Sequence, residues 1–139
     1  MRVNAPTGAG TETILLVEDE QAVRDLSRTM LARAGYDVIA CCGGEEALAA
    51  VRAHGGAIYI VVTDVIMAGM NGRELAVTML AERPGVPVLF TSGHTDDVIA
   101  RHGVVEKGKH FMAKPYAPRE LAAKVRAILD GKDTGAPGS

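Results

Sequence analysis

The sequence predicts an α/β domain: a three-layer, doubly wound sheet of five parallel strands with helices on both faces. Three observations carry this expectation. Between Thr13 and Leu129 a short apolar run, a Gly- or acid-containing turn and a segment of helical periodicity follow one another five times. The apolar runs do not alternate with polar residues, which suits strands covered by helices on both sides. Polar and charged residues gather where those runs end, the edge at which open parallel sheets bind their ligands.

Taken in order, Ile14-Leu15-Leu16-Val17 is an uninterrupted apolar run and the natural choice for a central strand. Val23, Leu26, Met30 and Leu31 then recur at helical spacing, with Arg24, Asp25, Arg28 and Arg33 between them, and Gly35 ends the helix. Asp37 to Cys41 reads as the second strand, Glu45 to Ala53 as a helix closed by Gly55-Gly56, and Ile58 to Thr63 as the third strand, with Asp64 at its C-terminal end. A third helix, roughly Gly72 to Arg83, presents Leu75, Met79 and Leu80 on one side. Pro84 and Pro87 bracket the turn into the fourth strand, Val88-Leu89-Phe90, which ends at Thr91. A short fourth helical segment is expected near Asp96 to Arg101. Phe111-Met112-Ala113 forms the fifth strand, Lys114 stands at its end, and a final helix carries Leu121, Val125, Ile128 and Leu129 along one stripe.

At 139 residues, 47% hydrophobic and 23% charged, the chain has the size and composition of one globular domain able to bury a core. The expected organisation is a linker over residues 1–12, the folded domain over 13–130 and a Gly/Pro/Ser-rich tail over 131–139 that can bury almost nothing and leaves no room for an output domain. A net charge of −2 gives no general attraction to nucleic acid or anionic lipid, and neither is expected as a partner. No apolar run approaches the roughly 20 residues of a membrane span, and the N-terminus lacks the apolar core of a secretory signal, so a cytoplasmic location is expected. Cys41 and Cys42 are adjacent and would point to opposite faces of an extended chain, which suits neither a disulfide nor a metal site. His94, His102 and His110 show no metal-ligand spacing and read as solvated loop histidines. Met67, Met70 and Met79 read as packing residues. Gly8-Ala9-Gly10 precedes the first strand, whereas a dinucleotide-binding loop must follow one.

The strand ends carry the chemistry. Glu18 and Asp19 follow the first strand, Asp64 the third, Thr91 the fourth and Lys114 the fifth, and the assumed topology brings all of them to one crevice. Three carboxylates about 4 Å apart would repel by on the order of 4 kcal/mol per pair at an effective dielectric of about 20, so a cation is required among them. Oxygen-only ligands with open water positions favour Mg2+ over Zn2+ or Ca2+. Lys114 supplies a further positive charge.

The segments Ile14-Leu15-Leu16-Val17-Glu18-Asp19-Glu20, Thr63-Asp64-Val65-Ile66-Met67-Ala68-Gly69-Met70-Asn71-Gly72, Phe90-Thr91-Ser92-Gly93 and Lys114-Pro115 resemble the response-regulator receiver family over nearly all of Thr13 to Leu129. The resemblance implies a flavodoxin-like (βα)5 fold with strand order 2-1-3-4-5. It implies that the domain takes a phosphoryl group from the phosphohistidine of a histidine kinase, or from a phosphotransfer protein, onto Asp64. Mg2+ would be bound by Asp19 and Asp64, by Glu18 through water and by the backbone carbonyl of Ile66. Lys114 would contact the phosphoryl group, the Thr91 hydroxyl would sense it, and Phe111 would be the switch aromatic. The responding surface would be the fourth helix, fifth strand and fifth helix, and Lys114-Pro115 resembles the family's cis peptide. Such a module is a signalling domain rather than an enzyme, catalysing only its own phosphorylation and dephosphorylation.

Some positions depart from the family's commonest pattern. Ala68 stands where proline is frequent and Glu18 where aspartate is frequent, and Phe111 lacks the hydroxyl of a tyrosine. Ile66 and Gly93 offer no polar side chain to position water, which implies only modest assistance to self-dephosphorylation. Gly10 to Val17 and Thr91 to Asp97 are similar to receivers fused behind sensor kinases, so a hybrid kinase is one possible parent beside a stand-alone regulator. Two alternatives stay open. An aspartyl-phosphate hydrolase of the dehalogenase type would want a second Asp where Ile66 stands. An unphosphorylated receiver-like scaffold would be expected to have lost an acid, the threonine or the lysine, all of which are present.

Overall fold

The computed structural model describes residues 12–65, 71–92, 110–113 and 117–131, apart from the side chains of Ser92, Phe111, Ala113 and Pro118. The expected fourth helical segment, the linker and the tail lie outside the described residues. In chain order the elements are β1 (Thr13–Val17), α1 (Gln21–Arg33), β2 (Asp37–Cys41), α2 (Gly44–Ala53), β3 (Ile60–Asp64), α3 (Gly72–Glu82), β4 (Val88–Ser92), β5 (His110–Ala113) and α4 (Pro118–Leu129), the final helix. The strands form one sheet in the order β2-β1-β3-β4-β5, parallel at every pairing, as the sequence predicts.

The apolar runs explain the layering. Neighbouring residues on a strand face opposite sides, so β1 serves two cores at once. Leu15 and Val17 pack with Val61 and Phe90 under Leu48 and Val51 of α2 and Leu75 and Met79 of α3. Ile14 and Leu16 pack on the other face with Ile60, Val62 and Leu89 under Leu31 of α1 and Leu121, Val125 and Ile128 of α4. With helices on both sides, a polar position within these strands would have no water to meet, and the polar residues are displaced to the strand ends.

Three local details differ from the sequence reading. The third strand begins at Ile60 rather than Ile58: Ile58 is buried in the core, but the chain enters the ladder only after the Tyr59 N–H has bonded to the Thr13 carbonyl at 2.9 Å. On α1 the inward stripe runs through Ser27 and Leu31, flanked by Val23, Met30 and Ala34, and Leu26 is 53% exposed. At about 100° per residue Leu26 lies roughly 90° from the centre of that stripe, where the sheet no longer covers it. His110 is not a solvated loop histidine. It is the first residue of β5, opposite Leu89, and it is buried.

On α4, Arg126 donates to Glu12 at 3.1 Å, to Asp130 at 2.8 Å and to the Tyr36 hydroxyl at 3.3 Å. This joins the final helix to the residue preceding β1 and to the turn before β2.

Candidate functional site

β1 ends at Val17, and only Glu18, Asp19 and Glu20 separate it from α1. Glu18 is held through each of its polar parts. Its N–H donates to the Cys41 carbonyl at 3.0 Å, which carries the β1–β2 ladder one residue further. Its carboxylate Oε2 accepts the Glu20 N–H at 3.1 Å, and its carbonyl accepts Nη1 of Arg24 at 2.9 Å. The connection therefore cannot swing freely, and Glu18 is buried while Asp19 stays exposed.

Asp64 is the last residue of β3 and is buried. It sits in register with Thr91 of β4, itself buried, and the Val65 N–H donates to the Thr91 carbonyl at 2.9 Å. The Thr63 hydroxyl donates to the Asp64 carbonyl at 3.1 Å. From the other side α3 presses against this backbone: the Gly72 N–H donates to the Val65 carbonyl at 2.8 Å. A methyl group at Gly72 would lie 2.2 Å from the Asp64 carbonyl oxygen, so only glycine permits the approach. Asn71 starts α3, accepting the Glu74 N–H at 2.8 Å while the Glu74 carboxylate accepts the Asn71 N–H at 2.9 Å. Such reciprocal capping fixes where the helix begins.

These supports bring the carboxylates of Glu18, Asp19 and Asp64 together: one oxygen from each lies within 4.8 Å of the others. At that distance and an effective dielectric of about 20, each pair of charges repels by about 3.5 kcal/mol. A single Mg2+, with Mg–O distances of about 2.0–2.1 Å, would draw its oxygens to within about 3–4.2 Å of one another, closer than the 4.8 Å that bounds them here. An all-oxygen donor set suits a hard divalent cation, and the acidic cluster could hold a metal ion.

The remaining candidates fall as follows. Thr91 is placed beside Asp64 by the register. Phe111 lies on β5 opposite Phe90, but its side chain is not described. Ile66 and Lys114 lie outside the described residues, as do Met67, Met70, His94 and His102. Cys41 and Cys42 are both free thiols, the first buried and the second exposed, as their adjacency predicts. Burial, helped by the nearby Glu46, pushes the Cys41 thiol up to about 11. The Glu46 carboxylate accepts the Cys42 N–H at 2.6 Å and is held below the usual carboxylate range by that bond.

Two residues escaped the sequence reading. Gly72 had a signal: a poor helix former occupies the first helical position directly after an Asn cap. Arg24 is, in the sequence, one of four charged residues between the apolar positions of α1, and nothing in the one-dimensional pattern shows that its side chain reaches back to the Glu18 carbonyl.

Comparison with known proteins agrees with this geometry. The family profile described as "Response regulator receiver domain" matches residues 14–126. The chain is 36% identical over 125 residues to "Sensor kinase CckA" of Brucella abortus (strain 2308), covering 90% of this chain and 13% of that protein. It is 34% identical over 118 residues to "Transcriptional regulatory protein YvrH" of Bacillus subtilis (strain 168), covering 84% of this chain and 48% of that one. The chain thus spans half or less of these relatives. Among solved structures, the response regulator receiver protein from Sinorhizobium medicae WSM419 superposes with a TM-score of 0.76 at 28% identity, over 88% of this chain and 98% of that one. Its acidic crevice, its strand order and its sequence together make this chain a member of the response regulator receiver domain family, the phosphoacceptor modules of two-component signalling.

Proposed function

We propose that Asp64 is the phosphoacceptor and that Glu18, Asp19 and Asp64 hold Mg2+ beside it, with the Ile66 carbonyl as a further ligand. The convergence of the three carboxylate oxygens within 4.8 Å supports this reading above all else. In the proposed reaction an ionised Asp64 oxygen attacks the phosphorus of a phosphohistidine. A P–O bond forms, the P–N bond breaks, and the imidazole leaves with its electron pair. The buried strand end favours this role because phosphoryl transfer demands mainly alignment and neutralisation of charge. Bound Mg2+ would supply that neutralisation. Lys114 is assigned to the phosphoryl oxygens and Thr91 to sensing the new group, its hydroxyl drawn toward it while Phe111 turns inward.

Residues 13–130 constitute the receiver in this reading, flanked by the linker and the tail. The donor is a histidine kinase or a phosphotransfer protein, and the domain performs no turnover beyond its own phosphorylation and dephosphorylation. Among the described residues no helix is long and apolar enough to cross a membrane.

The test is incubation with acetyl phosphate and Mg2+, then intact-mass measurement. One phosphoryl group per chain, absent from Asp64→Asn and abolished by EDTA, is the expected result. Multiple turnover without a stable adduct would identify a hydrolase, and no reaction a scaffold; either refutes the proposal.

A further inference from the structure

The β1–α1 connection is three residues long and carries two of the three clustered acids. Such a short loop bearing like charges is pushed open by its own repulsion. Its shape must be fixed by groups outside the carboxylates. From β2, the Cys41 carbonyl takes the Glu18 N–H. From within the loop, the Glu20 N–H donates to the Glu18 carboxylate. From α1, Arg24 reaches back to the Glu18 carbonyl at 2.9 Å with its side chain partly buried, while its own N–H closes the first helical hydrogen bond on the Glu20 carbonyl at 2.9 Å. Arg24 therefore grips both ends of the acidic loop, one through its side chain and the other through its backbone. Glu20, at the helix start, offers no side-chain cap of its own, so the grip is not duplicated from that position.

We infer that Arg24 is a positioning residue for the cation: it holds Glu18 and Asp19 in the orientation that faces Asp64. The inference deepens the proposed function and rests on Mg2+ occupying the cluster. An arginine near a cation site opposes the cation by simple repulsion, so a guanidinium acting through charge alone would weaken Mg2+ binding, and its removal would strengthen it. A guanidinium acting through its hydrogen bond does the reverse. Loss of groups that orient a metal's ligands commonly lowers affinity by about 10- to 100-fold.

The experiment is calorimetric titration of the full chain with MgCl2, comparing wild type, Arg24→Gln, Arg24→Lys and Asp19→Asn, alongside thermal melting of each in EDTA. The expected result is about tenfold weaker binding in Arg24→Gln, partial recovery in Arg24→Lys, which keeps a donor, and a metal-free melting temperature near that of wild type. Unchanged or tighter binding in Arg24→Gln overturns the inference, and so does weaker binding matched by a comparable loss of metal-free stability. Failure of the underlying reading looks different: wild type would bind no Mg2+, or Asp19→Asn would bind it as well as wild type.

Discussion

Replacing Asp64 by asparagine keeps the shape of the strand end and removes one charge from the cluster. With the oxygens within 4.8 Å, Asp64 takes part in two repulsive pairs of about 3.5 kcal/mol each at an effective dielectric of about 20, falling to about 1 kcal/mol each where water screens fully. Asp19 is exposed and Glu18 buried, so one pair lies nearer each limit. Counterions and the hydrogen bonds that asparagine cannot accept offset part of the gain. A net stabilisation of about 2 kcal/mol is expected for the metal-free protein, or about 6 °C in melting temperature for a domain of this size. The assay is thermal denaturation in EDTA and again in 10 mM MgCl2. Wild type should gain stability from Mg2+ as RT ln(1 + [Mg2+]/Kd), whereas Asp64→Asn should start higher and respond less. If Asp64→Asn melts at or below wild type in EDTA and gains as much from Mg2+, the carboxylates do not share a site and the reasoning fails.

Gly72→Ala should lower stability by about 1–3 kcal/mol, because a methyl 2.2 Å from the Asp64 carbonyl oxygen forces backbone movement. The same movement should weaken Mg2+ binding, which urea unfolding and calorimetry would report; a variant unchanged in both would show the contact to be soft. The Cys41 thiol, raised to about 11 against an ordinary value of 9.0, binds its proton more tightly folded than unfolded. Its contribution to stability is complete below about pH 9 and is lost as pH rises toward 11. Urea midpoints measured from pH 8 to 11 should therefore fall across that window in wild type and fall less in Cys41→Ala.

The sheet was legible because its strands are apolar on both faces. Ile14 to Val17 and Val88 to Phe90 admit no surface position, which calls for helices on both sides, whereas the order of the strands came only from the resemblance to the receiver family, since helices can cover both faces in more than one order. The site was legible because those same strands expel polar residues to their ends, which makes Glu18, Asp19, Asp64 and Thr91 conspicuous. Leu26 was misread because helical spacing defines a stripe only to within its edges, and where the sheet stops covering it depends on packing. His110 was misread because a histidine beside glycine-rich sequence looks solvated, while its burial follows from the pairing of β5 with β4, a contact distant in sequence. Arg24 shows the same boundary at the site. The residue type is ordinary on a helix surface, and its role comes from a turn of backbone that places its guanidinium beside the Glu18 carbonyl.

The pairing of Asp64 with Thr91 carries a mechanical consequence. The Val65 N–H bonded to the Thr91 carbonyl ties the two strand tips together, and slipping one past the other would break the ladder and reverse which side chains face each core. The tips thus behave as a fixed gauge. If Asp64 takes the phosphoryl group as proposed, Thr91 would meet it from a fixed distance along the backbone, so its response would be a choice between side-chain rotamers rather than a graded displacement.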